Sequence, residues 1–407
     1  MLLLLACANL LSYADRAVLA VLVEPIKTEL HVSDGQIGLL TGLAFAIFYG
    51  VVALPVARIA DRYARKPVLI AGILVWSIAT TLSGWAQGFV QLMLCRIGVG
   101  AGEAGNSPTS HSMIADSFPP DRSSAAFAIF AAGSTIGMSA GLIGGGLLAQ
   151  HYGWRMTFIL AGLPGLLLAA LIWFFIVEPD RRLIVRHDDR RVGAAPALTA
   201  NRSFTYLTLA YALWIFLTYA TLQWIPSLLI RKFAMTVGQT GLVFGLAFGL
   251  GAAFGTLMGG VLSNRIAWLQ GRLLALPIFS ACAYAIYVLA LFSPSKTMTL
   301  ILLLLASVLT TLGVGPIFAA LQSVIPPQRR ATGAAIYGLV SSLLGIGGAP
   351  LLIGLISDGL APTVGSTTGL QYAIALAMLA ALPLLYCLMA ARHRLSADQH
   401  RASISWV

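Results

Sequence analysis

Long apolar runs dominate this chain. They cover residues 3–25, 35–57, 67–86, 89–113, 124–149, 155–177, 204–229, 239–263, 271–292, 298–324, 332–356 and 369–390. A run of about 20 apolar residues is long enough for a helix to cross the hydrocarbon core of a bilayer. The pattern predicts an all-α membrane protein with twelve transmembrane helices. The totals agree. Hydrophobic residues make up 58% of the chain and charged residues only 10%, against about 25% charged in a soluble domain. The 41 glycines fit closely packed membrane helices.

One long polar segment interrupts the pattern, between the sixth and seventh runs. It extends from Glu178 to Arg202 and carries Arg181, Arg182, Arg186, Arg190, Arg191 and Arg202. It predicts a six-helix half at 1–178, a linker at 179–202, a second six-helix half at 203–391 and a tail at 392–407. The net charge is +11, and most of the positive residues lie in loops. Of the 25 Lys and Arg residues, 18 fall on the linker's side of the helices. Five (Lys27, Arg155, Arg231, Lys232 and Lys296) fall on the other side. This bias reports orientation, not nucleic-acid binding. It predicts a multi-pass protein of a bacterial inner membrane, with the linker and both termini in the cytoplasm. The first helix starts at once, with no positive start and no small-residue cleavage site, so no secretory signal peptide is expected. A short polar tail is expected to precede it. Cys7, Cys95, Cys282 and Cys387 show no pairing or metal spacing and are expected to be small core residues.

The two halves repeat each other. Ser33-Asp-Gly-Gln36 and Thr236-Val-Gly-Gln239 both have the form of a helix-starting capping box, 203 residues apart. Ala57-Arg-Ile-Ala-Asp61-Arg62 and Gly260-Val-Leu-Ser-Asn264-Arg265 end the same two helices, again 203 apart. Pro119-Pro-Asp-Arg122 and Pro326-Pro-Gln-Arg329 precede the fifth and eleventh helices, 207 apart. With six helices per half, this is a parallel repeat.

Against this apolar background, charges within the spans carry the chemistry. The fourth span holds Arg96-Ile-Gly-Val-Gly-Ala-Gly-Glu103. Seven residues is almost two helical turns, so both side chains share a face, about 10 Å apart along the axis. The first span holds Asp15 and Arg16. Intramembrane charges are costly and belong inside the bundle or beside water. The repeat offset gives a further test. Glu103 corresponds to Thr310, Arg96 to Leu303 and Asp15 to Thr218, all neutral. The charges are therefore not required by the symmetric fold. The first half is expected to titrate, and the second to rock and bind.

The loop Ala57-Arg-Ile-Ala-Asp61-Arg62-Tyr-Ala-Arg65-Lys66 resembles the signature loop of the major facilitator superfamily, with alanine at both usual glycines. Asn9-Leu-Leu-Ser-Tyr-Ala-Asp15-Arg16, the run Arg96 to Pro108 with its Gly-Glu-Ala-Gly, the segment Ser112 to Pro120, and Gly153-Trp-Arg-Met-Thr-Phe158 together resemble the spinster family of that superfamily. The resemblance implies a major facilitator fold and a proton-coupling set of Asp15, Arg96 and Glu103. It also implies a lipid-like or lysolipid substrate. The charged loop reads as a cytoplasmic latch of Asp61, Arg62, Arg65, Asp116 and Arg122. The resemblance also implies that the fifth and eighth helices meet, and their glycine faces (Gly133, Gly137, Gly141 and Gly145; Gly241, Gly245 and Gly249, then Gly255 and Gly259) either let the halves slide or serve ordinary small-residue packing, or both.

A cavity for a small amphipathic or anionic solute is expected from Arg16, Tyr211, Trp214, Thr218, Gln223 and Thr310. Arg16 lies about 100° round the helix from Asp15 and faces either the cavity or another neighbour. His111 is either a proton relay or a satisfied helix-end histidine. Glu24 is expected at the membrane interface. No nucleotide-binding loop, metal-spaced cluster or nucleophile–base pair is visible. The expectation is a monomeric, proton-coupled secondary transporter with no cofactor other than the coupling proton. An organic-anion or sugar-acid symporter, and more remotely a channel or transport-dead receptor, stay open.

Overall fold

The computed structural model describes residues 1–178, 201–265, 274–326, 329–395 and 398. The linker residues 179–200 and most of the tail lie outside the described residues. Those described form helices, with no strand among them.

Helix α1 is Leu2–Leu30. Helix α2 runs through Asp34–Gly38, a π segment at Leu39–Leu43, and Ala44–Arg62. Helix α3 is Arg65–Ser83. Helix α4 is in two pieces, Phe89–Glu103 and Asn106–Ser117. Pro120–Phe175 is a pair, α5 and α6, divided at Gly153, whose φ of 76° suits glycine. Helix α7 is Arg202–Phe233 and α8 is Val237–Arg265. Helix α9 comprises Ala275–Cys282 and Tyr284–Phe292. Helix α10 comprises Lys296–Thr311 and Val314–Ser323. Helix α11 comprises Arg330–Ser341, a π segment at Ser342–Gly348, and Ala349–Val364. Helix α12 comprises Ser366–Met378 and Ala381–Arg392.

Among the described residues, ten helical stretches are long and apolar enough to cross a membrane. The twelve predicted helices become ten because α5 and α6 form one stretch and α4 is not among the ten. The break in α4 falls at Ala104 and Gly105, where the sequence predicts a continuous span. Pro108 explains it: proline has no N–H to offer the carbonyl of residue 104. Helix α10 breaks in the same way at Leu312 and Gly313, four residues before Pro316. The repeat is therefore visible as backbone geometry. The two capping boxes also form. Ser33 and Gln36 bond reciprocally, at 2.9 and 3.2 Å, and Thr236 and Gln239 do the same at 3.3 and 3.2 Å.

The described residues pack as two compact units. The first joins Met1–Ile184 with Leu222–Gly249 and Pro350–Leu370; the second takes in Val185–Thr221, Leu250–Ala349 and Gln371–Val407. Within the first, the glycine stripe of α5 does not face α8 as expected. It lies on α1. A Cβ added at Gly133, Gly137 or Gly141 would fall within 3.0 Å of the carbonyl oxygens of Ala6, Leu10 and Ala14. Four-residue spacing keeps these glycines on one face, and that face is used to bring two backbones of the same half together. Helix α8 does meet α5, through Gly241 against Leu142 and Gly146, and Gly249 against Ser139. The cysteines differ from expectation as well. Cys387 is buried, Cys95 is half-buried, and Cys7 and Cys282 are exposed.

Candidate functional site: a buried charge cluster

Helices α1, α3 and α4 bring Asp15, Arg96 and Glu103 into one buried region, together with Arg16. Asp15 is 5% exposed, Arg96 3% and Glu103 1%. The pairing is crossed. Arg96 Nη1 lies 3.4 Å from Asp15 Oδ2, while Glu103 is held by Arg16, at 2.7 Å from Nε and 2.5 Å from Nη2. Consecutive residues of α1 thus bind opposite charges on α4. The cluster holds two positive and two negative groups and is formally neutral.

Hydroxyl groups complete it. Ser12 donates to Glu103 Oε2 at 2.9 Å, and Thr80 donates to Asp15 Oδ1 at 2.9 Å. Arg96 Nη2 donates to Ser83 Oγ at 3.1 Å. The Arg96 guanidinium lies 5.2 Å from the Phe158 ring centroid. Arg16 is framed by the rings of Tyr13, Phe45 and Tyr49, at 4.7–5.2 Å. Such rings stabilise a cation that is largely shielded from water. Two atoms stay without a hydrogen-bond partner among the described residues, Glu103 Oε1 and Arg96 Nε. Serine and threonine within apolar spans gave no sequence signal of this role, because spacing does not separate a site hydroxyl from one bonded to its own helix.

The predicted cavity residues divide between the units. Arg16 and Gln223 belong to the first, where Gln223 is 5% exposed and its Nε2 has no partner among the described residues. Tyr211, Trp214, Thr218 and Thr310 belong to the second. There Tyr211 stacks on Trp214 at 6.1 Å and meets Phe318 at 6.4 Å and Tyr337 at 5.8 Å. Trp214 Nε1 donates to the Thr310 carbonyl at 3.4 Å. The Thr218 and Thr310 hydroxyls bond their own helices. The sequence reading missed Phe318 and Tyr337, single aromatics on distant helices.

At the loop between α2 and α3, Arg65 pairs with Asp116 and donates to Ser112 at 2.8 Å. The side chains of Asp61 and Arg62 lie outside the described residues, and Arg122 is exposed. Glu178, read only as the start of the linker, joins this group. It accepts from the backbone N–H groups of Arg65 (2.9 Å) and Lys66 (2.7 Å) and from Arg65 Nε (3.2 Å). Partial burial works against its charged form. The two amides and the guanidinium outweigh that and hold the carboxyl below its ordinary range. His111 lies edge-on to Phe127 and Phe130.

A second ionic group ties the ends of α1, α2, α7 and α11 within the first unit. Arg231 binds Asp34 (2.7 and 2.9 Å) and Glu24 (2.7 and 2.9 Å). Lys27 also pairs with Asp34, and Ser357 donates to it at 2.7 Å. The Asp358 carboxylate accepts the backbone N–H groups of Asp34 and Gly35, at 3.0 and 2.7 Å, where a helix start favours negative charge.

Comparison with known proteins identifies the family. The sequence profile of the Major Facilitator Superfamily matches residues 5–350. An MFS-type efflux pump of Mycolicibacterium smegmatis is 33% identical over 368 residues, covering 89% of this chain and 85% of the relative. Protein spinster homolog 1 of Xenopus tropicalis is 30% identical over 380 residues, covering 86% and 71%. The sphingosine-1-phosphate transporter SPNS2 of Danio rerio is 29% identical over 384 residues, covering 88% and 75%. A crystal structure of a bacterial homologue of the human lysosomal transporter spinster, inward-facing and unoccupied, superposes with a TM-score of 0.85. It has 26% identity and coverage of 98% and 97%. This chain belongs to the major facilitator superfamily: it is a multi-pass membrane transporter and not an enzyme. Within that superfamily it is spinster-like.

Proposed function

We propose that this transporter couples the movement of a small amphipathic solute to protons, with Glu103 as the proton carrier. One observation carries the reading. Glu103 is 1% exposed, its Oε2 is occupied by Ser12 and Arg16, and its Oε1 has no partner among the described residues. A buried carboxylate oxygen with nothing to bond is where an added proton costs least. Protonation gives the neutral cluster a net positive charge and loosens Arg16 from its partner. Arg16 is then available to an anionic head group. Proton and anion binding favour one another, which is coupling through differential affinity.

The sphingosine-1-phosphate transporter among the relatives handles a molecule of that kind, an anionic head on a long apolar chain. The Lys and Arg bias supports a bacterial inner membrane with cytoplasmic termini. In that orientation the group around Asp34, Arg231 and Asp358 is on the outer side. The test is a screen in proteoliposomes with an imposed pH gradient, comparing lysolipids with small organic acids. Glu103→Gln is expected to bind the solute yet lose gradient-driven accumulation. Undiminished accumulation by that variant sinks the proton role.

A further inference from the structure

Helix α3 carries no charge after Lys66, yet it supplies two buried polar groups to the Asp15–Arg96 pair. Thr80 is 1% exposed and Ser83 is fully buried. Residues three apart share a helix face, so both reach the pair from one side. Their roles are fixed by where their protons go. Thr80 donates its proton to Asp15 Oδ1 at 2.9 Å. Ser83 donates its own to the Ala79 carbonyl at 2.9 Å, which leaves its oxygen to accept from Arg96 at 3.1 Å. The ion pair itself, at 3.4 Å, is longer than either of these bonds and beyond the usual range of about 2.7–3.2 Å for an N–H···O bond.

The two acids of the cluster therefore differ. Both oxygens of Asp15 have partners, one from α3 and one from α4. Glu103 has one oxygen engaged and one without a partner among the described residues. Three charged side chains bear on Asp15 in this region. Arg96 of α4 faces it, and Arg16 is turned to Glu103. The α6 face contributes the neutral Phe158 ring against Arg96.

We propose that Thr80 and Ser83 are positioning residues of the coupling site. They hold Asp15 ionised and Arg96 beside it, so that Glu103 alone takes the proton. This rests on the reading of Glu103 given above. The physical reason is that a hydrogen bond donated to a carboxylate favours its charged form. Without the Thr80 hydroxyl, burial and one long ion pair are left to set the charge of Asp15, and it competes for the proton.

The test needs no substrate. Infrared difference spectra of the full-length protein in lipid nanodiscs, recorded across a pH series, report protonated carboxyl groups through their C=O stretch. In the wild type, the band that appears on acidification is expected to vanish in Glu103→Gln and to persist in Asp15→Asn. Thr80→Val keeps the shape of threonine and removes the donor. It is expected to add a second carboxyl band, from Asp15. That band is lost in Thr80→Val/Asp15→Asn and absent from Thr80→Ser, which restores the donor. Ser83→Ala provides an independent arm, with the same new band at smaller amplitude. If Thr80→Val and Ser83→Ala both reproduce the wild-type spectrum, this inference is overturned and the Glu103 reading stands. If no wild-type band depends on Glu103, the proton reading fails, and the positioning role goes with it.

Discussion

Helices α4 and α10 occupy equivalent places in the repeat and share an unusual backbone, but they differ in chemistry. Each breaks four residues before a proline, at Ala104–Gly105 and at Leu312–Gly313. The first carries Arg96 and Glu103, held in a network with α1 and α3. The second has Leu303 and Thr310 at the matching positions, both buried, and Thr310 turns its hydroxyl to its own Ala306 carbonyl. The break is therefore compatible with a helix that is neutral at these two positions, and the fold does not need charges there. The neighbouring helices differ in the same sense. Four glycines of α5 face α1, three of them at carbonyl distance, whereas on α11 Gly345 lies against Ile215 and Phe216 of α7. Close packing fixes α1 in the half that holds the charges.

Substitutions can break or sharpen this contrast. The largest effect is expected from Arg96→Ala, which strands Asp15 as a buried charge. Thermal melts in nanodiscs should show a loss of about 3–5 kcal/mol, with coupled transport abolished. Arg58→Ala, at an exposed position, should change stability by no more than about 0.5 kcal/mol. Equal effects from the two would mean that Arg96 is unremarkable. Next comes Arg96→Leu/Glu103→Thr, which gives α4 the residues of α10. It removes one charge of each sign, so it should cost less stability than the sum of the single changes, while gradient-driven uptake is lost. Retained uptake would show that the charges are dispensable to function as well as to fold.

Gly141→Ala should cost about 1–3 kcal/mol through overpacking against Ala14 and lower transport by moving α1. Gly260→Ala, where an added Cβ meets nothing within 4 Å, is its control. The smallest effect concerns Glu178, for which the repeat offsets of 203 and 207 lead to Ala381 and Leu385. Its folded-state carboxyl lies below the ordinary value of 4.5. The stabilisation it gives is thus fully present above that value and fades as pH falls through the folded-state value. Glu178→Gln should flatten this acid limb of the melting profile while changing neutral-pH stability by less than about 1 kcal/mol, since the side chain is 30% exposed and screened. An unchanged acid limb would remove Glu178 from the latch.

The sequence by itself determined the membrane class, the helices and the repeat. Apolar runs and capping boxes are set by residues near one another in the chain, so they are readable without a third dimension. The sequence also singled out the members of the charge cluster, because a charge in an apolar span is conspicuous and its neutral repeat counterpart can be checked. Only the tertiary structure decided who pairs with whom. Asp15 and Arg16 are adjacent in sequence but about 100° apart round the helix. Which one meets Arg96 and which meets Glu103 depends on how α1 is rotated against α4. The same holds for the α5 glycines, which form a face by spacing alone but use it on α1. It holds too for Asp358, which reaches the start of α2 from 324 residues away, and for the Thr80 and Ser83 hydroxyls. Helical periodicity fixes the faces of a helix. The neighbour each face meets is chosen by the packing of all the others.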